Sequence, residues 1–443
     1  MDLGRMTTSA DHQTPEVGSR GFWPATRTEG LRRLHEFLPR AGLGYARTRN
    51  FDDGPRQRSN VSTLSPWIRH RLVLEEEVVT AVLDHHSPQA AEKFLQEVCW
   101  RTYWKGWLEL RPDIWRRYLA DLQGWIAALD RQTQLRQRWE QAVEGRTGID
   151  CFDAWASELV NHGYLHNHAR MWFASLWIFT LQLPWQLGAD FFFRHLLDGD
   201  PASNTLSWRW VAGIQTRGKT YLARPENIQR YTNGRFCPSG EGWARVAEPL
   251  EEPPDPRPRE LPSGGIVDRH ARRIGLLLTE EDLAAESIAP LAGLRIVALA
   301  APRIGEQRSL LPCGPLAHDF TRTALADGLE RASLAFGVEA RGFEEADWEQ
   351  AALEWTREQE LDLVVTADVP TGPVSPRIDR VESLLRQAGH RLVRIRRSWD
   401  ESLWPLAKRG FFDFKRRLPV ALEGLGIDGL TTRKPNQPPT GAG

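Results

Sequence analysis

Cysteine is scarce and scattered in this chain of 443 residues. Cys99, Cys151, Cys237 and Cys313 form no close pair, so the spacing of a zinc or iron–sulfur site is missing and no metal site is expected. Reduced thiols in a cytoplasmic protein are the reading that follows. Long apolar runs are missing too. No segment is apolar enough to span a membrane, and the opening MDLGRMTTSADHQTPE lacks the apolar stretch of a signal peptide. There is no internal repeat. Strong charge of either sign is also lacking, with 57 Lys+Arg against 58 Asp+Glu. The balance is uneven, however: residues 1–240 carry 30 basic against 26 acidic side chains, and the remainder 27 against 32. A mild positive excess in the first part permits a nucleic-acid groove without requiring one.

Tryptophan is abundant. Fifteen of the 19 lie before residue 244, which marks the same division as the charge. A Pro-rich stretch, PLEEPPDPRPRELPSGG, reads as a linker. Beyond it, LRIVALAA, LDLVVTAD and HRLVRIRR are β-branched runs that alternate with helical stretches, the pattern of a small α/β domain with a parallel sheet. The division that follows has a flexible segment (1–28), a helical domain (29–245) and a linker region (246–290). An α/β domain (291–430) and a disordered tail (431–443) complete it.

Within the helical part, Leu31–Phe37 reads as a short helix. Ser65 followed by Pro66 reads as a helix start, with a hydroxyl N-cap and Pro in the first turn. Such a terminus, with Ser62 and Thr63 beside it, suits an anion, although capping alone explains Ser65 and Pro66. Phe94–Leu110 is an amphipathic helix with Glu97, Trp100, Arg101 and Trp104 on one face. Residues 112–140 are helical and charged. From Gly145 to Trp210 an apolar, Trp-rich segment contains HNHARM and DGDPASN. Asn167, Arg170 and Met171 share a helix face, and Asp198 or Asp200 can pair with Arg170. Spacing alone leaves two readings even: a structural Arg–Asp pair in a bundle, or a polar network in an aromatic cage. Arg217, Lys219 and Arg224 then make a basic loop.

The run GRTGIDCFDAW, GYLHNHARM, LPWQLGADFFFRHLLDGDPASN, WRW resembles the flavin-binding half of the DNA photolyase and cryptochrome family. Four patterns of that family occur in order: TG-x-x-x-x-D-A, G-[WY]-[ML]-H-N-x-x-R-M, D-x-D-x-x-x-N and W-x-W. The likeness extends from about Tyr45 to about Phe236. It implies a mainly α-helical FAD-binding domain of photolyase type, followed by the linker and the smaller α/β domain. That family normally has its α/β antenna domain first. Arg377–Pro419 weakly resembles the end of such a domain, so a permuted order is expected.

The resemblance also implies roles. Tyr45, Ser62, Thr63, Leu64, Ser65, Arg101, Asn167, Arg170, Asp198, Asp200 and Asn204 would hold FAD, with the segment 62–65 at its diphosphate. Val61 stands where a Thr is usual. Arg170, paired with Asp198, would lie beside the isoalloxazine, Asn204 would face the central ring nitrogen, and Asp200 would bind the polar edge. Arg49 would touch the flavin and the DNA side. Trp208 and Trp185 would begin an electron-hopping path, with Trp125 or Trp139 third. For any single tryptophan, core packing is the competing reading. Glu97, Trp100, Asn167, Met171 and Trp210 would line a hole for a flipped-out thymine dimer.

Three function classes follow. The first is a lyase, a cyclobutane pyrimidine dimer photolyase acting on UV-damaged DNA as a monomer. The second is a cryptochrome-like photoreceptor with an unknown protein partner. The third is a flavin electron-transfer protein. His168 departs from the family's usual Arg, and His166 leaves a (6–4) photoproduct reading open at lower rank. No site for a second, antenna chromophore is evident.

Overall fold

The structure, a computed structural model, describes residues 23–302, 308–343 and 346–427. Residues 1–22 of the expected flexible segment, and the whole expected tail 431–443, lie outside these. Helices fill the first half: α1 (Arg27–Phe37), α2 (Leu43–Thr48), α3 (Ser65–Arg69), α4 (Glu75–His85), α5 (Pro88–Glu109), α6 (Asp113–Arg131), α7 (Thr133–Val143), α8 (Asp150–His162), α9 (Asn167–Ser175), α10 (Trp185–His195), α11 (Pro201–Val211) and α12 (Pro225–Tyr231). Local chemistry sets several ends. Ser87 Oγ accepts from Ala90 N at 3.3 Å ahead of Pro88, which starts α5. Gly163, at φ 65°, ends α8 in the left-handed conformation. The α6 stripe of Ile114, Trp115, Tyr118, Leu122 and Leu129 is buried.

The second half is α/β: β1 (Ile274–Leu277), β2 (Ile296–Pro302), α13 (Pro315–Phe336), β3 (Ala340–Phe343), α14 (Trp348–Glu358), β4 (Leu363–Ala367), α15 (Ser375–Gln387), β5 (Leu392–Ile395), α16 (Ser398–Leu403) and α17 (Phe411–Gly424). All strand pairs are parallel, in the order β3-β2-β1-β4-β5. β1 and β4 are buried at every position, as central strands covered on both faces must be.

The two halves share one apolar core and a buried ionic seam. Arg71 Nη1 donates to Asp282 Oδ2 at 3.1 Å, and Arg397 grips the same carboxylate at 2.6 and 2.7 Å. Asp400 takes the other end of Arg71. Trp399 Nε1 donates to Thr102 Oγ1 at 3.0 Å, and Tyr103 OH to Arg409 O at 2.9 Å. Among the described residues, no helix is long and apolar enough to cross a membrane.

Three sequence expectations need correction. The flexible segment cannot reach residue 28, because Trp23 and Ala25 are buried and α1 begins at Arg27. The region 246–290 is not all linker, since it contains β1, whose sequence IGLL has only one β-branched residue and so does not stand out as a β-branched run. Its Pro-rich part is also pinned to the helical half: Glu252 and Asp255 both bind Arg209, and Arg259 N donates to Leu110 O at 2.9 Å. Finally, Ser65 is the first residue of α3 rather than its cap, which is Leu64, and α3 has only five residues.

Candidate functional site

The site is built where α9, α11 and α5 converge on the loop Asp198–Asp200. His166 caps α9, its Nδ1 accepting from His168 N at 3.2 Å, and this sets Arg170 one turn along. Arg170 Nε donates to Leu165 O at 2.9 Å, and its Nη2 donates to Asp198 Oδ2 at 3.0 Å. Burial raises the Asp198 carboxyl, but the Arg170 and Arg101 cations and the Ser65 hydroxyl outweigh it, so it lies below the usual range. Asp200 caps α11, with Oδ1 accepting from Ser203 N at 2.7 Å. One turn on, Asn204 Nδ2 donates to Ala189 O at 2.8 Å, which fixes the amide plane.

The second oxygen of Asp200 is unsatisfied. Arg101 Nη1 and Lys105 Nζ each stand 3.7 Å from Asp200 Oδ2, too far for a hydrogen bond. All three atoms, and Ser203 Oγ nearby in sequence, are buried without a hydrogen-bond partner among the described residues. Burial pushes Asp200 up, yet Lys105, Arg101 and Arg69 together hold it at about 2. Buried polar groups are nearly always paired, so the three orphaned atoms of Asp200, Arg101 and Lys105 mark a place built for a polar ligand edge. A flavin, with a polar ring edge and a negative charge when reduced, suits two cationic donors beside a carboxylate acceptor. Lys105 is absent from the sequence reading. Its spacing of four residues from Arg101, on the same helix, is the signal that could have found it.

One turn before Arg101 on α5, Glu97 meets Arg49 and Tyr45. Arg49 forms an ion pair with Glu97 and lies over the Tyr45 ring. Trp100 stacks on Phe411 of α17, with ring centroids 3.6 Å apart and planes 9° apart. An open aromatic face at Trp100 is therefore not what the chain presents: one side is covered by the C-terminal half, and Glu97 is already paired. Asn167, at the start of α9, is exposed, and Met171 is half-buried. Trp210 stacks on Tyr221 at 5.9 Å, and Arg217, Lys219 and Arg224 are exposed beyond it.

Ser62 and Thr63 lie on the wall of an open cavity of about 210 Å³ whose lining includes neither Asp198 nor Asn204. Arg32, Arg33, Arg40 and Arg58 line it as well. Thr63 has φ 53°, an uncommon conformation for a β-branched residue, and its Oγ1 lies 3.4 Å from Arg33 Nη1. Leu64 is buried, and the Ser65 hydroxyl lies near enough to Asp198 to help lower its carboxyl, so the segment 62–65 leads from the arginine-lined cavity towards the carboxylate loop.

Trp208 is buried among Phe192 at 5.1 Å, Trp177 at 6.2 Å and Phe173 at 6.4 Å. Its ring rests on Gly188, one turn along α10 from Trp185, where any Cβ would collide with it. Trp185 makes its own ring contact with Tyr118 of α6, stacked at 5.6 Å. Trp125 lies two turns beyond Tyr118 on α6 and is partly exposed; Trp139 is on α7.

Residues 94–235 match the family described as the FAD binding domain of DNA photolyase. The deoxyribodipyrimidine photo-lyase of Alkalihalophilus pseudofirmus is 30% identical over 202 residues, 45% of this chain and 40% of that one. The photo-lyase of Escherichia coli is 29% identical over 208 residues, 45% of this chain and 42% of that one. The chain thus spans less than half the length of these curated relatives. A solved class III photolyase from Agrobacterium tumefaciens aligns over 52% of this chain and 46% of that one, at 25% identity and a TM-score of 0.41.

Proposed function

We propose, since residues 94–235 belong to the photolyase and cryptochrome family, that this chain binds FAD and uses blue light to repair cyclobutane pyrimidine dimers in DNA. The observation that carries the reading is the unsatisfied Asp200 Oδ2 facing Arg101 and Lys105, beside the Arg170–Asp198 pair.

In this reading Arg170 is the cation held at the flavin ring, with Asp198 fixing its guanidinium. Asp200, Arg101 and Lys105 take the polar ring edge. Asn204 presents its amide from α11, and Tyr45 closes the pocket. Ser62, Thr63, Leu64 and Ser65 hold the diphosphate next to the four cavity arginines. Reduced FAD supplies the light-driven electron that opens the cyclobutane ring. Trp210, Met171 and Asn167 receive the flipped-out dimer, with Glu97 and Trp100 at the edge. Arg217, Lys219 and Arg224 contact phosphates. Trp208 and Trp185 relay electrons from the surface.

The test is blue-light repair of a thymine-dimer oligonucleotide by the chemically reduced, purified protein, with a dark control. Light-dependent loss of the dimer supports the reading. FAD binding and photoreduction without repair would replace it with the second one, a cryptochrome-like photoreceptor. The Trp100–Phe411 stack favours that alternative, because it covers one face of a dimer-facing ring. The (6–4) reading ranks lower. Burial pushes His166 down to about 4, so it is a neutral imidazole near neutral pH.

A further inference from the structure

Open parallel sheets take their ligands in the crevice outside the carboxyl ends of the strands, at the point where the strand order reverses. In the order β3-β2-β1-β4-β5 that point lies between β1 and β4. Here the crevice faces the helical half of the same chain. After β1, Thr279, Glu280, Glu281 and Asp282 are all buried. After β4, Thr371 N donates to Glu109, and Gly372 lies so near Pro201 that a Cβ there would be 2.8 Å from its Cγ.

Arg69 enters this crevice. Its guanidinium donates to both oxygens of Glu281, at 2.7 Å each, and lies 3.3 Å from Glu280 Oε1. That bidentate grip aims Nε at one acceptor, Gly199 O, at 2.9 Å. Gly199 is the residue between Asp198 and Asp200. From the other side Arg308 Nη1 donates to Leu196 O at 2.9 Å. The same Nη1 lies 2.8 Å from where a Gly199 Cβ would stand. Arg69 is also one of the cations that keep Asp200 ionised.

We propose that the C-terminal α/β domain is a positioning element for the Asp198–Asp200 loop, acting through Glu281 and Arg69 on the Gly199 carbonyl. The inference rests on the FAD reading for its functional consequence. A shift of that carbonyl turns both carboxylates away from Arg170 and from Arg101 and Lys105, so the α/β domain tunes the flavin site without touching flavin.

The experiment compares the full-length parent with three variants. Glu281→Gln keeps the shape of the clamp and removes its charge. Gly199→Ala would crowd Phe193 O, 2.7 Å from the added Cβ, as well as Arg308 Nη1 at 2.8 Å, and so displaces the loop while leaving the Glu281 pair in place. Asp400→Asn weakens an equally buried pair across the same seam, to Arg71, which does not touch the loop. For each, FAD affinity, the visible spectrum of the bound flavin, Tm, and amide exchange of residues 198–204 are measured. Glu281→Gln and Gly199→Ala should weaken FAD on the order of tenfold, alter the flavin spectrum and speed exchange in the loop. Asp400→Asn should lower Tm alone. Equal FAD affinity, spectrum and loop exchange across all variants would overturn the proposal. A parent that takes up no FAD would defeat the flavin reading instead, and loop exchange would still decide whether the clamp exists.

Discussion

Phe411, from the far end of the chain, lies flat on Trp100, a residue more than three hundred positions earlier. Phe411 is buried, and Phe414 packs beside it. Phe411→Ala should therefore cost about 3–5 kcal/mol of stability, most of it lost apolar burial and a poorly filled cavity. The stack itself should appear in a double-mutant cycle with Trp100→Leu as a coupling of about 1 kcal/mol. Urea denaturation of the four proteins measures both. Strict additivity would mean that the rings are neighbours without a specific interaction.

Arg170→Ala should abolish FAD retention and leave Asp198 buried without its main cation. Removing one partner of a buried pair costs about 3–5 kcal/mol. Arg170→Lys keeps the charge but loses the Nε bond to Leu165 O, so it should retain FAD weakly. Flavin absorbance after gel filtration reads the outcome. Normal flavin content in Arg170→Ala would remove this residue from the site.

Acid should destabilise the fold in two steps. Burial pushes His166 and His195 down to about 4, against about 6.5 in an unfolded chain. A lowered folded value means that the unfolded chain takes up protons first. Stability should fall as pH drops from about 6.5 to about 4, by up to about 1.4 kcal/mol per pH unit for each histidine. Asp200 behaves as a depressed carboxyl: its contribution is present above about 3.9 and is lost as pH falls towards about 2. Urea midpoints measured from pH 7.5 downwards should decline through the first window. Glu158, pushed up to about 7 by burial, titrates in the opposite sense over the same window, so a profile that stays flat also in Glu158→Gln would mean that the histidines are not buried neutral.

Much of this was legible in residue types. The β-branched runs at β2, β4 and β5 announced themselves, whereas β1 (IGLL) has a single β-branched residue beside a Gly and β3 (ARGF) has none. That Arg170 pairs with a carboxylate, Asp198 or Asp200, follows from the expense of burying either alone, and the resemblance chose Asp198 between them. Glu281 could not be read in this way, because its partner Arg69 lies over two hundred residues away and no local pattern encodes that distance. The same holds for Phe411. Ser65 looked like a cap because Ser before Pro favours one, but Thr63 in the left-handed region starts the turn a residue early.

Trp208→Phe should block photoreduction of bound flavin while leaving FAD in place. For the outer step the structure separates two candidates. Tyr118 stacks on Trp185, and Trp125 lies on the same α6 face two turns further on, partly exposed. Trp139 sits on the next helix. Trp125→Phe should therefore slow photoreduction, and Trp139→Phe should not. Bleaching of the oxidised band under blue light with an external reductant distinguishes them, and the reverse order would route the path through α7.

DNA binding should report on the exposed loop Arg217, Lys219 and Arg224. Each phosphate contact releases a condensed counterion, so the logarithm of affinity falls with the logarithm of salt by about 0.9 per contact on duplex DNA. Arg217→Ala and Lys219→Ala together should reduce that slope by about 2 and weaken damaged and undamaged duplex alike. Trp210→Ala should act differently, lowering affinity for dimer-containing DNA with the slope unchanged, because an aromatic ring contacts a base and neutralises no charge. Both mutants losing affinity with a common slope change would mean that Trp210 supports the loop through its stack on Tyr221 and does not face the substrate.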